Sequence, residues 1–259
     1  MKNVHIVTRE DKPEAAAVAA KLTAALETHG VVSDHANEPD LLIAVGGDGT
    51  VLAAASTAIS ADIPVCGVNV GRVGYLAEFE VAEIGDLSRA VARNEMSIRE
   101  HSVLEVSVDD VSAMAINDVV VEKVISQRII EVEVAVNARP LATYRTDGII
   151  VATPLGSTAY SLSAGGPVVD PSLDALVVTP IAPHSLLTRP VVLAPDAVVD
   201  IVVETDRPAR INVDGTEFAT VPPGGSVTVR RSDHRVKFAS LDRHPFPQAV
   251  REQFGLNNA

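Results

Sequence analysis

The sequence predicts an N-terminal α/β domain built on a parallel sheet, followed by a β-rich, sandwich-like C-terminal domain. Three observations carry this reading. Over the first hundred residues, short apolar runs alternate with alanine-rich stretches of helical length, the β-α-β-α order of a parallel sheet covered by helices. Residues 41–45 are apolar without a break, as in a strand buried on both faces. Beyond about residue 100 short β-branched stretches dominate, punctuated by turn residues at the spacing of an all-β layer structure. The division this implies is 1–99, 100–243 and a C-terminal tail at 244–259, expected to pack back on the first domain.

Taken in order, residues 4–8 read as a strand. Residues 13–28 read as a helix opened by Pro13, where the missing amide costs nothing, and closed by His29-Gly30. After the strand at 41–45 come three glycines and a threonine, then a second alanine-rich helix to about Ile59. A strand at 64–68 and a helix at 84–93 complete the α/β part. The β-rich part offers strands at 103–108, 113–121, 129–136, 149–152, 176–180, 198–203, 210–213, 226–229 and 236–239. A small, polar segment at 156–166 interrupts them. Residues 246–256 read as a short amphipathic helix.

Composition narrows the function. Hydrophobic residues make up 47% of the 259, ample for a core, and no run of about 18 apolar residues predicts a membrane span. A net charge of −13 argues against nucleic acid and anionic membrane as partners, because both need a basic footprint. The lone Cys66 sits in an apolar strand, forms no intrachain disulfide and points to the cytoplasm. There are 5 lysines against 16 arginines. An acidic, lysine-poor surface suits concentrated salt, and equally an ordinary cytosolic protein that favours arginine.

Four segments carry chemistry. Gly46-Gly47-Asp48-Gly49-Thr50 lies between a buried strand and a helix, at the carboxyl end of the strand where α/β sheets bind ligands. Its glycines admit a ligand close to the main chain, and amides opening the helix attract phosphate oxygens. A carboxylate there can take a proton from an attacking hydroxyl or hold a divalent cation. Alone, the same turn also reads as a tight connection with Asp48 capping the helix. The segment 153–166 offers small side chains, hydroxyls and, at Tyr160, a ring face for a base. Asn117-Asp118 puts an amide beside a carboxylate; adjacent strand residues point oppositely, so joint action needs a strand end or bulge. Asp214-Gly215 reads first as a hairpin turn. Neither the three-glycine dinucleotide fingerprint nor the Gly-Lys-Ser/Thr phosphate loop is present, and the seven histidines show no i, i+4 metal pair. No protein metal site is predicted.

With these residues in view, the chain resembles the NAD kinase family. The pentapeptide at Gly46 to Thr50 is shared with phosphofructokinases and diacylglycerol-type lipid kinases and marks the superfamily. Thr153-Pro154-Leu155-Gly156-Ser157-Thr158-Ala159-Tyr160 through Gly166 is far more specific to NAD kinases. Gly71-Arg72-Val73-Gly74-Tyr75-Leu76-Ala77-Glu78, Asn117-Asp118, and Pro183-His184-Ser185-Leu186 with Arg189-Pro190 complete the set in the family's order.

The resemblance implies phosphoryl transfer to the 2′-hydroxyl of the adenosine ribose of NAD, giving NADP. It implies Asp48 as the base, with Gly46, Gly47, Gly49 and Thr50 at the donor's phosphates and Arg145 reaching a phosphate from a neighbouring subunit. Asn117 would meet adenosine and Asp118 the ribose hydroxyls. Thr158, Ala159, Tyr160 and Ser163 would line the dinucleotide site, with Asp147 bonding one ring. The donor would be ATP, another nucleoside triphosphate or polyphosphate with Mg²⁺ or Mn²⁺, and the assembly a homodimer or homotetramer. Three departures qualify the transfer. Asp118 stands where glutamate is common, Leu155 replaces a common Ser or Thr, and Thr216 stands where glutamine is frequent. The competing readings are a lipid or sugar kinase of the same superfamily, which leaves 153–166 unexplained, and a dinucleotide-binding regulator, against which Asp48 speaks.

Overall fold

A computed structural model describes residues 1–9, 12–33, 36–71, 74, 76–243 and 245–255, without the side chains of 252 and 253. Contacts divide the chain into two units: Met1–Glu100 with Val236–Ala259, and His101–Arg235.

In chain order the first unit holds β1 (Val4–Thr8), α1 (Pro13–Glu27), β2 (Leu41–Gly46), α2 (Asp48–Ala58), β3 (Val65–Asn69), β4 (Phe79–Glu80) and α3 (Ile84–Arg93). β1, β2 and β3 are parallel with β2 in the middle, which is why every residue of β2 is buried. α1 starts with Pro13 in its first turn and buries Ala15, Val18, Leu22 and Leu26, three or four residues apart, along one face. These side chains join Leu41, Ile43, Val45, Phe79 and Leu87 in one core. α3 stops at Asn94, whose left-handed φ of 55° ends the helical hydrogen bonding.

The second unit takes β5 (Ser97–Val108) from His101 onward, then β6 (Val111–Ala115), β7 (Asp118–Lys123), β8 (Ile130–Val136), β9 (Arg139–Thr146) and β10 (Gly148–Ala152). The turn of helix α4 (Tyr160–Ser163) follows, then β11 (Leu176–Ile181), β12 (Val191–Leu193), β13 (Val198–Val203), β14 (Ala209–Val213), β15 (Thr216–Val221) and β16 (Ser226–Ser240). One layer is a six-stranded antiparallel sheet in the order β12-β11-β10-β7-β14-β15. The other brings together β9-β8-β13-β16, with β5 and β6 joined through β16. Alternate residues of both layers, among them Val119, Val121, Ile149, Val151, Val132, Val134, Val199 and Ile201, meet in one dry core. From Val236 the end of β16 lies in the first unit, where Phe238 pairs in parallel with Val65; α5 (Phe246–Gln253) follows.

The α/β-then-β order matches the fold the sequence predicts. Several elements differ: the single strand expected at 113–121 is two, β6 and β7, broken at Ile116-Asn117, the two expected at 226–229 and 236–239 are one, β16, and β4, β9, β12 and β15 are strands the sequence does not predict. The break has a specific cause, a carboxylate that takes the amides a ladder partner would otherwise hold.

Candidate active site

The glycine pentapeptide forms the β2–α2 connection. Gly47 caps α2 in extended conformation, and Asp48 is the helix's first residue. The first amides of an 11-residue helix have no partner within the helix and carry its positive end. They border a cavity of about 250 Å³ lined by Gly46, Gly47, Gly49 and Thr50, with Arg9 and Lys12 from the β1–α1 connection and Glu14 from the first turn of α1. Two cations and a helix start therefore share one hollow, an arrangement that attracts phosphate. Arg9 and Lys12 gave no signal in the sequence beyond their charge.

The Asp48 carboxylate is fixed from the opposite side. The Leu76 amide donates to its Oδ1 at 3.1 Å. Gly74 passes so close that a Cβ there would fall on the carboxylate, which explains the glycine. Of the segment read at 71–78, Arg72, Val73 and Tyr75 lie outside the described residues. Glu78 turns to the tail, accepting from the amides of Leu241 and Arg243. Asn69, level with Gly46 across the ladder, is buried and donates to Glu80 at 2.9 Å, while its own carbonyl oxygen meets no partner among the described residues.

Asn117 and Asp118 do occupy a strand end. Asp214 accepts from three consecutive amides there, Ile116 at 2.8 Å, Asn117 at 2.7 Å and Asp118 at 3.1 Å. On the other flank Thr153 donates its hydroxyl to the Ile116 carbonyl at 2.7 Å and its amide to the Asn117 carbonyl at 2.9 Å. Gly156 packs against the Asn117 backbone where a Cβ would collide. Burial, with Asp214 beside it, pushes the Asp118 carboxyl up to about 7. Burial also raises Asp214, while its three amide donors pull the other way.

The segment 153–166 sorts its residues by depth. Thr153, Ser157 and Ser161, four apart, are fully buried and bonded to the frame; Ser157 bridges the backbone of Val169 and Ser161 meets Thr179 at 2.9 Å. Thr158 and Ala159 are half-buried, and Tyr160 and Ser163 are exposed. Tyr160 is 42% exposed, not core. It lines a second cavity, about 260 Å³, with Asp147, Glu122, Lys123, Ser126 and Ile181. Burial, with Glu122, Asp147 and Asp118 nearby, raises its phenol, so the ring stays neutral. Lys123 pairs with Asp147 at 2.6 Å, and Asn212 donates to Glu122 at 2.8 Å. Glu122 faces Gly148 across the β7–β10 ladder, a neighbour no sequence spacing reveals.

Arg145 lines neither cavity. It is exposed, its guanidinium 3.8 Å from Glu131, and its backbone is bonded to Ser185 and His184. Among the described residues no group of three or more His, Cys, Asp or Glu side chains is placed to hold a metal ion.

Comparisons with known proteins give the family and the fold. The ATP-NAD kinase N-terminal domain matches residues 8–96 and the ATP-NAD kinase C-terminal domain residues 116–241. An NAD kinase of Heliobacterium modesticaldum is 37% identical, with 98% of each chain covered. An NAD kinase of Mycolicibacterium paratuberculosis is 39% identical over 84% of this chain and 72% of its own. Among solved structures, an NAD kinase from Archaeoglobus fulgidus in complex with ATP superposes with a TM-score of 0.79 at 27% identity, covering 98% and 97% of the two chains. Yeast NADH kinase complexed with NADH shares the fold, with a TM-score of 0.90 at 23% identity, over 100% of this chain and 89% of that one. With both domains of one enzyme matched in order and relatives aligned over most of their length, this chain belongs to the NAD kinase family.

Proposed function

We propose that the chain makes NADP from NAD with Asp48 as the general base, and the observation that carries this assignment is the Asp48 carboxylate pinned by the Leu76 amide at the start of α2. The 2′-oxygen of NAD attacks the terminal phosphorus of the donor, the bridging P–O bond breaks toward the donor's leaving phosphate, and the hydroxyl proton passes to Asp48. The amides of Gly47 to Gly49, with Arg9 and Lys12, receive the donor's phosphates. Asn117 meets adenosine and Asp118 its ribose hydroxyls. Tyr160 supplies a stacking face, Thr158, Ala159 and Ser163 line the dinucleotide, and Asp147 bonds one ring. Arg145, exposed and lining neither cavity, reaches a phosphate bound by a neighbouring subunit. A homodimer or homotetramer fits this and the fully exposed Leu186 beside Ser185.

NAD kinases work with a divalent cation accompanying the phosphate donor. Near the glycine loop one carboxylate, Glu14, lines the cavity. That fits an ion held mainly by phosphate oxygens and water, and Mg²⁺ or Mn²⁺ meets this description. When bound, the ion neutralises charge on the transferring phosphoryl group. The lone buried thiol of Cys66 suits the cytoplasm.

Purified protein, NAD, Mg²⁺ or Mn²⁺ and a panel of ATP, other nucleoside triphosphates and polyphosphate test the reading, with NADP formation followed. NADP made from at least one donor is the expected result. No NADP with any donor, while NAD still binds, would reduce the chain to a dinucleotide-binding protein.

A further inference from the structure

We propose that Asp214 is the positioning residue for Asn117 and Asp118, holding the head of β7 in the one arrangement from which both side chains meet the adenosine of NAD. The proposal rests on the reading of those two residues as the adenosine contacts. Residues 116 and 117 precede β7 and lack a ladder partner for their amides. Both oxygens of Asp214 fill that role: Oδ2 takes the Ile116 amide, and Oδ1 takes those of Asn117 and Asp118. Hydrogen bonds to an ionised acceptor are about twice as strong as neutral ones. The tie runs both ways, since the Asp214 amide donates to the Asp118 carbonyl at 3.0 Å.

The hairpin turn makes this reach possible. Asp214 and Gly215 adopt left-handed φ values of 48° and 78°, just after β14 pairs Val213 with Val119 of β7. The β14–β15 tip thus lies directly beside the end of β7. Thr153 holds the carbonyls of the same peptide stretch, so Asn117 and Asp118 are gripped on both flanks. In a regular strand they would point to opposite faces. With Asn117 outside the ladder and Asp118 at its first rung, opposite Ala152, the pair is released from that strict alternation and can serve one ligand. Asp214 is committed to main-chain amides and acts through its neighbours.

Asp214→Asn in the full-length chain keeps the shape but leaves one side-chain oxygen to accept where two did. NAD affinity by calorimetry should fall at least about tenfold and the NAD KM rise to match, with the donor KM and kcat at saturating NAD within about threefold of the parent. In a chain already carrying Asn117→Ala and Asp118→Ala, Asp214→Asn should change NAD affinity less than about twofold, because the groups it positions are gone. Glu217→Gln on the same hairpin should leave all constants unchanged. The proposal is overturned if Asp214→Asn binds NAD normally while Asn117→Ala and Asp118→Ala each weaken binding. It is equally overturned if its full cost persists in the double-alanine chain. Failure of both Asp214→Asn and Asp214→Glu to fold would make Asp214 a folding determinant and sink the positioning role. If Asn117→Ala and Asp118→Ala themselves leave NAD affinity intact, the underlying adenosine reading has failed, a result distinct from the others.

Discussion

Asp118 is 5% exposed, and its burial, with Asp214 beside it, pushes its carboxyl up to about 7. A carboxyl whose folded pKa lies above its unfolded value of about 3.9 holds its proton more tightly in the native state. Its contribution is therefore fully present below about pH 4 and lost as pH rises through about 7. Asp118→Asn, always neutral, should accordingly stabilise the ligand-free chain at pH 8 by an amount on the order of 1 kcal/mol or more, and by clearly less at pH 5, where only part of the contribution has been lost. Thermal unfolding at the two values checks this, and an equal effect at both would show that Asp118 does not titrate there. For Asp48, loss of a general base costs about 10²–10⁴ in rate, so Asp48→Asn should lower kcat at least about a hundredfold while NAD still binds by calorimetry. Near-normal turnover would remove the base assignment. Tyr160 lines a cavity instead of filling the core, so Tyr160→Ala should leave the fold intact and raise the NAD KM about tenfold. Unfolding of that variant would place the ring in a structural role. Asp48 and Tyr160 could be singled out from sequence because a carboxylate among glycines and a ring among small residues are unusual local chemistry. Asp214 could not: Asp-Gly is the commonest kind of hairpin tip, and its use as an amide acceptor depends on a strand about 97 residues earlier.

The elements show the same division between local and long-range information. Continuous apolar runs and capped alanine-rich stretches made β2, α1 and α3 legible, because periodicity and end signals are written within each. The split of 113–121 was not, because the flanking residues suit a strand, Asn117-Asp118 alone does not fix where it breaks, and the cause lies on another hairpin. In the segment 153–166 the four-residue spacing of Thr153, Ser157 and Ser161 is visible in sequence, yet composition does not say which hydroxyls face inward. Thr153 tests the frame. Its hydroxyl donates to the Ile116 carbonyl and accepts from the Gly156 amide at 2.9 Å, both in buried surroundings. Thr153→Val keeps the shape and orphans both backbone groups, at about 1–3 kcal/mol for each buried group left unpaired. The melting midpoint should fall by about 2–4 °C per kcal/mol in a chain of this size. An unchanged midpoint would mean the segment is held by packing alone.

At the scale of the whole molecule the governing quantity is the net charge of −13. Ion pairs are numerous but sit at the surface, as with Arg99–Asp242 and Arg230–Glu105, and such pairs contribute about 0–1 kcal/mol each. Salt weakens them only slightly in absolute terms, since there is little to lose. Repulsion among the surplus carboxylates acts over longer distances and on every part of the compact state, and it relaxes when the chain unfolds and the charges move apart. Added salt shortens the screening length from about 30 Å at 0.01 M to about 3 Å at 1 M, removing most of that repulsion while leaving contacts inside the two cores untouched. The two effects oppose each other, and the collective term exceeds the pairwise one because acidic residues outnumber basic ones, 34 to 21. The thermal midpoint should therefore rise between dilute buffer and molar KCl. KCl is the informative salt, since sulfate would also strengthen apolar burial and confound the result. A midpoint unmoved by KCl would mean the acidic surface is already balanced locally, and the scarcity of lysine would then reflect no more than a preference for arginine.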